Sequence, residues 1–434
     1  MGVAGWSTDS EWPRPGGARL GCSGSAVSRR AHDLVVYGAT GFVGRLVAGY
    51  LAERVPASLR IGLAGRSGDR LSALRRQLPA AAREWPLLVA DSADRAALGE
   101  LAAASRVLVS TVGPYLRYGM PVVEACARAG TQYADLTGEV LFHRDAIDRV
   151  DATARESGAR IVHSCGYDSV PSDLGMLLLA ERARELDAGG LTDVLLIATA
   201  RGGVSGGTVD SMRAQFEAVR LAPARRAVVR DPYSLSPDRA GEPTVRQPPD
   251  SLPPGRRGPD GVWTAPFVMA SYNTRIVRRS NALQGHAYGR GLRYGEVMGL
   301  GAGLRGALAA AGTTAALAGL VTAFQNPPVG AVLDRVLPKP GSGPSARTRA
   351  RGWFRMDIAA GTQSGRRLRA TVSGLGDPGY AATAVMLAES GLCLAQNGDG
   401  LPVRSGSLTP ATALGGALVE RLRAAGHTYQ VWAI

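Results

Sequence analysis

The sequence predicts an α/β chain with an N-terminal doubly wound sheet, a second α+β domain and a C-terminal helical return. Three observations predict it. Short apolar runs alternate with helical stretches from residue 32 onward, the pattern of strands joined by crossover helices. A glycine-rich turn links the first run to the first helix. The 434 residues are enough for about two or three domains of ordinary size.

The first strand, Leu34-Val35-Val36-Tyr37, runs into Gly38-Ala39-Thr40-Gly41-Phe42-Val43-Gly44 and a helix over 45–54. Glycines at this spacing let the backbone turn tightly, approach a pyrophosphate and aim the helix N-terminus at it. With a second strand at 59–64 the segment reads as a Rossmann-type dinucleotide site, against the alternative of a ligand-free turn. That second strand ends in Gly65-Arg66-Ser67, without the carboxylate that holds the ribose 2′-hydroxyl of NAD. Arg66 can fork onto a phosphate and Ser67 can donate to it, so NADP(H) is expected. A solvated loop charge is the alternative for Arg66.

The alternation continues with a helix at 71–78, a strand at 87–90 ending at Asp91, a helix at 96–104 and a strand at 107–112. A helix at 121–129 and strands near 133–136 and 161–164 complete the layer. Ligands in such sheets sit beyond the carboxyl ends of the strands, so three segments are candidates. Asp91 could accept from an adenine amino group or cap the next helix. Thr111-Val112-Gly113-Pro114-Tyr115 could pass close to the nicotinamide ribose, with Tyr115 reaching toward substrate; a Gly-Pro turn also explains its first four residues. In Ser164-Cys165-Gly166-Tyr167-Asp168-Ser169-Val170-Pro171-Ser172-Asp173, Asp168 and Ser169 could cap a helix with Pro171 in its first turn, while Tyr167 and Asp168 face the cleft. His163 reads as a buried strand residue.

The formal charge of +14 comes almost entirely from arginine, with Lys339 as the single lysine. The arginines are scattered among Asp and Glu without a long basic run, which argues against a nucleic-acid partner. An anionic carrier-protein surface, an acidic lipid headgroup or a phosphorylated thioester carrier suits the charge better. Cys22, Cys126, Cys165 and Cys393 lie far apart with no C-x-x-C pair and no clustered histidines, as in a reduced cytosolic protein without a structural metal. Residues 1–30, rich in Gly, Ser, Pro and Arg, have no signal-peptide core and read as a disordered extension or a misplaced start. The expected domains are 1–31 (extension), 32–175 (NADP-binding), 176–375 (substrate) and 376–434 (a segment packing back on the Rossmann domain).

Residues 38–44, 113–119, 133–139 and 166–173 resemble the saccharopine dehydrogenase-like oxidoreductases; residues 344–354, 376–380 and 408–412 are similar to their trans-acting enoyl reductase branch. The resemblance implies NADPH-dependent reduction of a carbon-carbon double bond on a polyketide or lipid acyl chain, for a polyketide synthase whose own module lacks that activity. Hydride would go to the β-carbon and a proton to the α-carbon, which calls for an enolate-oxygen donor and a proton source. Tyr167 is the first choice, with Asp168 orienting it or a water; Tyr115 and His163 are reserves.

In the middle of the chain a helix at 174–186 and a strand at 194–199 precede a second glycine-rich run, 201–208. That run could bind an anion at a helix N-terminus, such as the phosphate of a pantetheine arm; a flexible connector is the preferred reading, because the run lacks the Lys of a phosphate loop. Residues 231–257 read as an exposed excursion, and 268–277 and 370–372 as strands of a mixed sheet. Residues 306–324 carry no charge over nineteen positions, a length at the threshold for spanning a bilayer. Their Ala, Gly and Thr content favours a helix packed in the protein or lining an apolar acyl channel. A cytoplasmic location is expected; peripheral membrane contact and homodimerisation stay open. Two rival functions are an imine reductase, whose amino-dicarboxylate could be held by Arg275, Arg278, Arg290 and Arg293, and a non-catalytic dinucleotide-sensing or lipid-surface protein.

Overall fold

The computed structural model describes residues 30–56, 58–202, 206–258, 260–325 and 343–434. Most of the expected extension, Cys22, Lys339 and positions 203–205 of the second glycine run lie outside the described residues. Arg30, at the edge of that extension, donates to the carbonyls of Ala102 and Ser105 and so ties the chain down just before the first strand.

The first sheet has seven strands: β1 (His32–Tyr37), β2 (Ile61–Gly65), β3 (Leu87–Val89), β4 (Ser105–Ser110), β5 (Gln132–Asp135), β6 (Arg160–Val162) and β13 (Gly406–Leu408). Their order is β13-β6-β5-β4-β1-β2-β3, and every pair is parallel. Leu34, Val35 and Val36 of β1 and Val107, Leu108 and Val109 of β4 are fully buried, because helices cover both faces; this is why those strands read as unbroken apolar runs. β1 pairs with β2 on one side and β4 on the other. The chain changes direction there, which opens a crevice beyond the carboxyl ends of the strands.

The second sheet contains β7 (Leu191–Arg201), β8 (Gly255–Arg257), β9 (Val262–Pro266), β10 (Arg293–Gly299), β11 (Trp353–Thr362), β12 (Arg367–Leu375) and β14 (Thr428–Ala433). Its order is β14-β12-β11-β7-β10-β9-β8, with only β10 and β7 parallel. β11 alternates buried and more exposed positions, so one face is solvated while the other packs on the helix Val170–Glu185. The contact is close: a Cβ on Gly175 would lie 2.5 Å from Ile358 Cδ1. Residues after 376 divide between the sheets. β13 extends the first, the helix Thr383–Gln396 packs on the helix Phe42–Arg54 and on β4, and β14 pairs with β12.

Three expectations are corrected. Residues 268–277 are not a strand, since Ala270–Leu283 is a helix; it is buried almost all round, which erases the polar stripe that marks a surface helix. The 231–257 excursion is not wholly exposed, because Tyr233, Ser234, Leu235, Ser236 and Glu242 are buried. Arg278 and Arg279 of that helix donate to the carbonyls of Pro232 and Leu235 and draw the segment in. The uncharged stretch is a helix, Gly303–Gln325, but only 11% of its most apolar part is buried; it touches the fold along β9 and the helix Gly206–Leu221.

Candidate active site

The glycine turn has the geometry of a pyrophosphate cradle. Gly38 has φ +82°, and a Cβ there would meet Val112 Cγ2 at 2.7 Å and Thr111 Oγ1 at 2.8 Å. A Cβ on Gly44 would lie 2.3 Å from the Gly38 carbonyl oxygen, so strand and helix meet this closely only with glycine at both ends. Thr111 Oγ1 donates to the Gly38 carbonyl at 3.0 Å and couples the end of β4 to the turn. Gly41 is the N-cap of the helix Phe42–Arg54, without a side-chain cap and with no acidic residue in the first turn. The N-terminal amides therefore keep their affinity for an anion. Ala39 is buried, Val43 packs on the core, and Arg45 Nε donates to the Thr40 carbonyl at 3.0 Å. Phe42 stacks edge-on against Tyr380 at 4.6 Å, with the Arg349 guanidinium over its ring.

Arg66 stands exposed after β2 and has no hydrogen-bond or ion-pair partner among the described residues. Ser67 caps the next helix by accepting from Arg70 N at 3.4 Å, which leaves its hydroxyl proton available. Asp91 accepts from Ala93 N at 2.9 Å; the adjacent helix is capped instead by Asp94. These residues fit NADP(H): a tight turn, an uncapped helix start and a free guanidinium where the 2′-phosphate would lie. Gly113 is joined to Pro114 by a cis peptide bond, and with Val112 it forms the wall beside the turn.

At the carboxyl ends of β5 and β6 the buried Asp135 organises two loops. Its Oδ1 accepts from Thr137 N and Ser164 N, both at 3.0 Å, and its Oδ2 pairs with His163 Nδ1 at 2.8 Å. Ser164 takes φ +65°, an uncommon backbone state that turns the chain toward Tyr167 and Asp168. The Ser164 hydroxyl bonds Tyr272, whose phenol also meets His143 Nδ1 at 3.0 Å. Glu139 accepts from Tyr115 N, Leu116 N and Ser211 Oγ at 2.9, 2.6 and 2.6 Å. It joins the β5 loop to the second domain, and burial holds its carboxyl above the ordinary range.

The structure distributes the proposed catalytic side chains unequally. Tyr115 is buried; its hydroxyl donates to the Ser110 carbonyl at 3.0 Å and accepts from Leu136 N at 3.1 Å. It pins the ends of β4 and β5 together, and burial drives its phenol well above its usual value. His163 is likewise committed to Asp135. Tyr167 differs. Its ring rests edge-on against Phe354 at 5.2 Å and its amide donates to Thr383 Oγ1 at 3.0 Å, while its hydroxyl has no hydrogen-bond partner among the described residues. Burial, then the nearby Glu296 and Asp168 carboxyls, push that phenol up.

Asp168 sits partly exposed at the same corner, beside Gly138, where an added Cβ would come 3.9 Å from Asp168 Oδ1. Loss of solvent pushes its carboxyl up to about 7, with a smaller push from Asp135. The helix Val170–Glu185 starts without a side-chain cap: the Ser169 hydroxyl donates to Asn273 Oδ1 at 3.0 Å instead. Asn273 in turn donates to Glu296 at 2.9 Å, and Tyr294 to the same carboxyl at 2.7 Å; burial raises Glu296 to about 7. Glu296, Asn273 and Tyr272 are supporting residues that sequence reasoning missed. Asn273 shares a helical face with Ile276, Val277 and Ser280, but burial on every side of that helix left no stripe to single out Tyr272.

The arginines of a would-be dicarboxylate site are engaged elsewhere. Arg275 pairs with Asp250 at 2.8 Å and donates to the Val229 carbonyl at 2.6 Å. Arg278 donates to Pro232 and Tyr294 carbonyls, Arg290 to that of Gly241, and Arg293 pairs with Asp193. The second glycine run is also occupied where it is described, since Gly206 N donates to the Tyr380 hydroxyl at 3.1 Å.

Residues 34–162 match the saccharopine dehydrogenase NADP binding domain. The trans-acting enoyl reductase of Mycobacterium bovis (strain BCG) is 46% identical over 408 residues, which cover 92% of this chain and 97% of that protein. A Mycobacterium tuberculosis protein provisionally named as a trans-acting enoyl reductase is 49% identical over 411 residues, with the same coverage of 92% and 97%. Among solved structures, saccharopine dehydrogenase (L-Glu forming) from Saccharomyces cerevisiae aligns over 92% of this chain and 99% of its own, with TM-score 0.52 and 12% identity, a likeness of fold alone. The glycine cradle, the exposed Arg66 and these relatives agree, and the chain belongs to the saccharopine dehydrogenase-like family, in its trans-acting enoyl reductase branch, as an NADP(H)-dependent oxidoreductase.

Proposed function

We propose that the chain reduces the carbon-carbon double bond of an α,β-unsaturated polyketide or lipid acyl thioester presented by a separate carrier or synthase. One observation carries the reading: in the loop after β6 the Tyr167 hydroxyl, without a hydrogen-bond partner among the described residues, stands next to the Asp168 carboxyl. NADPH, when bound, supplies the hydride. Tyr167 then donates a hydrogen bond to the thioester oxygen as negative charge develops on it, which is where such a donor lowers the barrier most. Asp168, its carboxyl raised to about 7 and so protonated below that pH, is the proton source for the α-carbon, directly or through a water. Asp135 and Glu139 hold the loops that carry this pair.

The names of the relatives support the acyl substrate. The commitment of Arg275, Arg278 and Arg293 to protein partners weighs against an amino-dicarboxylate. The test is NADPH oxidation with an enoyl thioester in one arm and an amine with a keto acid in the other. Turnover is expected only in the first, and Tyr167→Phe should lower kcat about 100-fold with NADPH affinity unchanged. Turnover with the amine and keto acid alone would establish the imine chemistry, and tight NADPH binding without turnover in either arm would leave a sensing role.

A further inference from the structure

The helix Gly303–Gln325 lies bare on the surface. Gly306, Ala310 and Ala323 are its buried positions among those described. Gly306 faces Trp263 of β9, and Phe324 stacks on Phe216 of the helix Gly206–Leu221 at 5.7 Å. Leu304 and Leu308 are 77% and 66% exposed. A helix facing water ordinarily carries a charged or polar face, whereas this one has no charge after Arg305. Thr314 and Thr322 turn their hydroxyls onto the carbonyls of Ala310 and Ala318, at 2.8 and 2.9 Å. Those donors are satisfied within the helix, the arrangement an apolar medium requires.

The surrounding charge is mostly positive: the acids of the helix Gly206–Leu221, Asp210 and Glu217, are paired with Arg213 and Arg117. No Asp or Glu occurs between positions 297 and 333. Arg305 is exposed on the helix, Arg256 on the β8–β9 hairpin that the helix packs against, and Arg220 at the end of the helix Gly206–Leu221 beside an exposed Leu221; Asp260 is the only acid in that hairpin. We propose that this face docks on an anionic phospholipid bilayer, with the helix Gly303–Gln325 lying in the headgroup region and Arg305, Arg256 and Arg220 meeting lipid phosphates.

Two other arrangements fit less well. Spanning the bilayer would tear the helix from β9, and only Leu308, Leu317, Leu320, Val321 and Phe324 among residues 306–324 favour insertion. Pairing with a second copy through this helix, roughly 35 Å long and about 10 Å wide, would bury on the order of 350 Å² per partner, against about 800 Å² in a stable interface. Such pairing would also set arginine against arginine, whereas an anionic surface complements them.

The experiment is cosedimentation of the full chain with vesicles of phosphatidylcholine alone and of phosphatidylcholine with phosphatidylglycerol. Binding to the anionic vesicles is expected, weakened by salt and about fivefold by Arg305→Gln. It should be lost in the Leu304→Asp/Leu308→Asp double variant, whose circular dichroism and NADPH affinity match the wild type. The salt and lipid-composition arms use wild-type protein, so they stand even if that variant misfolds. Absence of binding to either vesicle, equal binding to both, binding unchanged in the double variant, or a dimer abolished by the double variant without vesicle binding would each overturn the proposal.

Discussion

Replacing Arg66 with alanine is expected to weaken NADPH binding about 10- to 100-fold and leave NADH binding unchanged. The magnitude follows from the residue's surroundings. Arg66 is exposed and unpaired among the described residues, so the variant loses no internal contact, and its stability should stay within about 0.5 kcal/mol of wild type. A charge-assisted hydrogen bond to a phosphate contributes about 1.5–3 kcal/mol. Solvent screening at an open site favours the lower half of that range, and each 1.4 kcal/mol is about tenfold in Kd. Fluorescence titration of both cofactors into wild type and Arg66→Ala, at one salt concentration, reads the effect directly. Wild-type protein that binds NADH and NADPH equally, or a variant that loses affinity for both, would refute the assignment of Arg66 to the 2′-phosphate.

Two glycines of one helix should respond in opposite ways. Gly44→Ala sets a Cβ 2.3 Å from a backbone oxygen and should abolish NADPH binding and lower Tm, while Gly49→Ala, with nothing within 4 Å, should be neutral or stabilising by about 0.5–1 kcal/mol; differential scanning calorimetry and cofactor titration check both. Asp168, raised to about 7, is protonated below that pH, so kcat should fall as pH rises through about 7. Asp168→Asn should remove that limb and leave turnover low throughout; a wild-type profile that instead climbs through this range would exclude Asp168 as the proton source.

Much of the cofactor site was legible because it is local. The turn from Gly38 to Gly44 is dictated by one positive φ and one close approach, both encoded within seven residues, and the missing carboxylate after β2 is a fact of sequence. The substrate end was legible only as a list of polar residues. Tyr115 and Tyr167 read alike in sequence. Their difference arises because the Tyr115 hydroxyl meets a carbonyl of β4 and an amide beyond β5, a meeting set by how those strands align, whereas Tyr167 leans on Phe354, far along the chain.

Sequence by itself determined the parallel sheet, the glycine turn and the expectation of NADP(H), since strand patterning, glycine geometry and the replacement of a carboxylate by Arg66 after β2 act over a few residues. Tertiary structure decided the rest. It buried Arg275, Arg278 and Arg279 on main-chain carbonyls, turned the segment around Tyr272 into a core helix, and left the uncharged helix Gly303–Gln325 in the open. Each of those outcomes depends on partners supplied by distant segments. Periodicity reveals that a side chain will be buried, but only packing reveals against what.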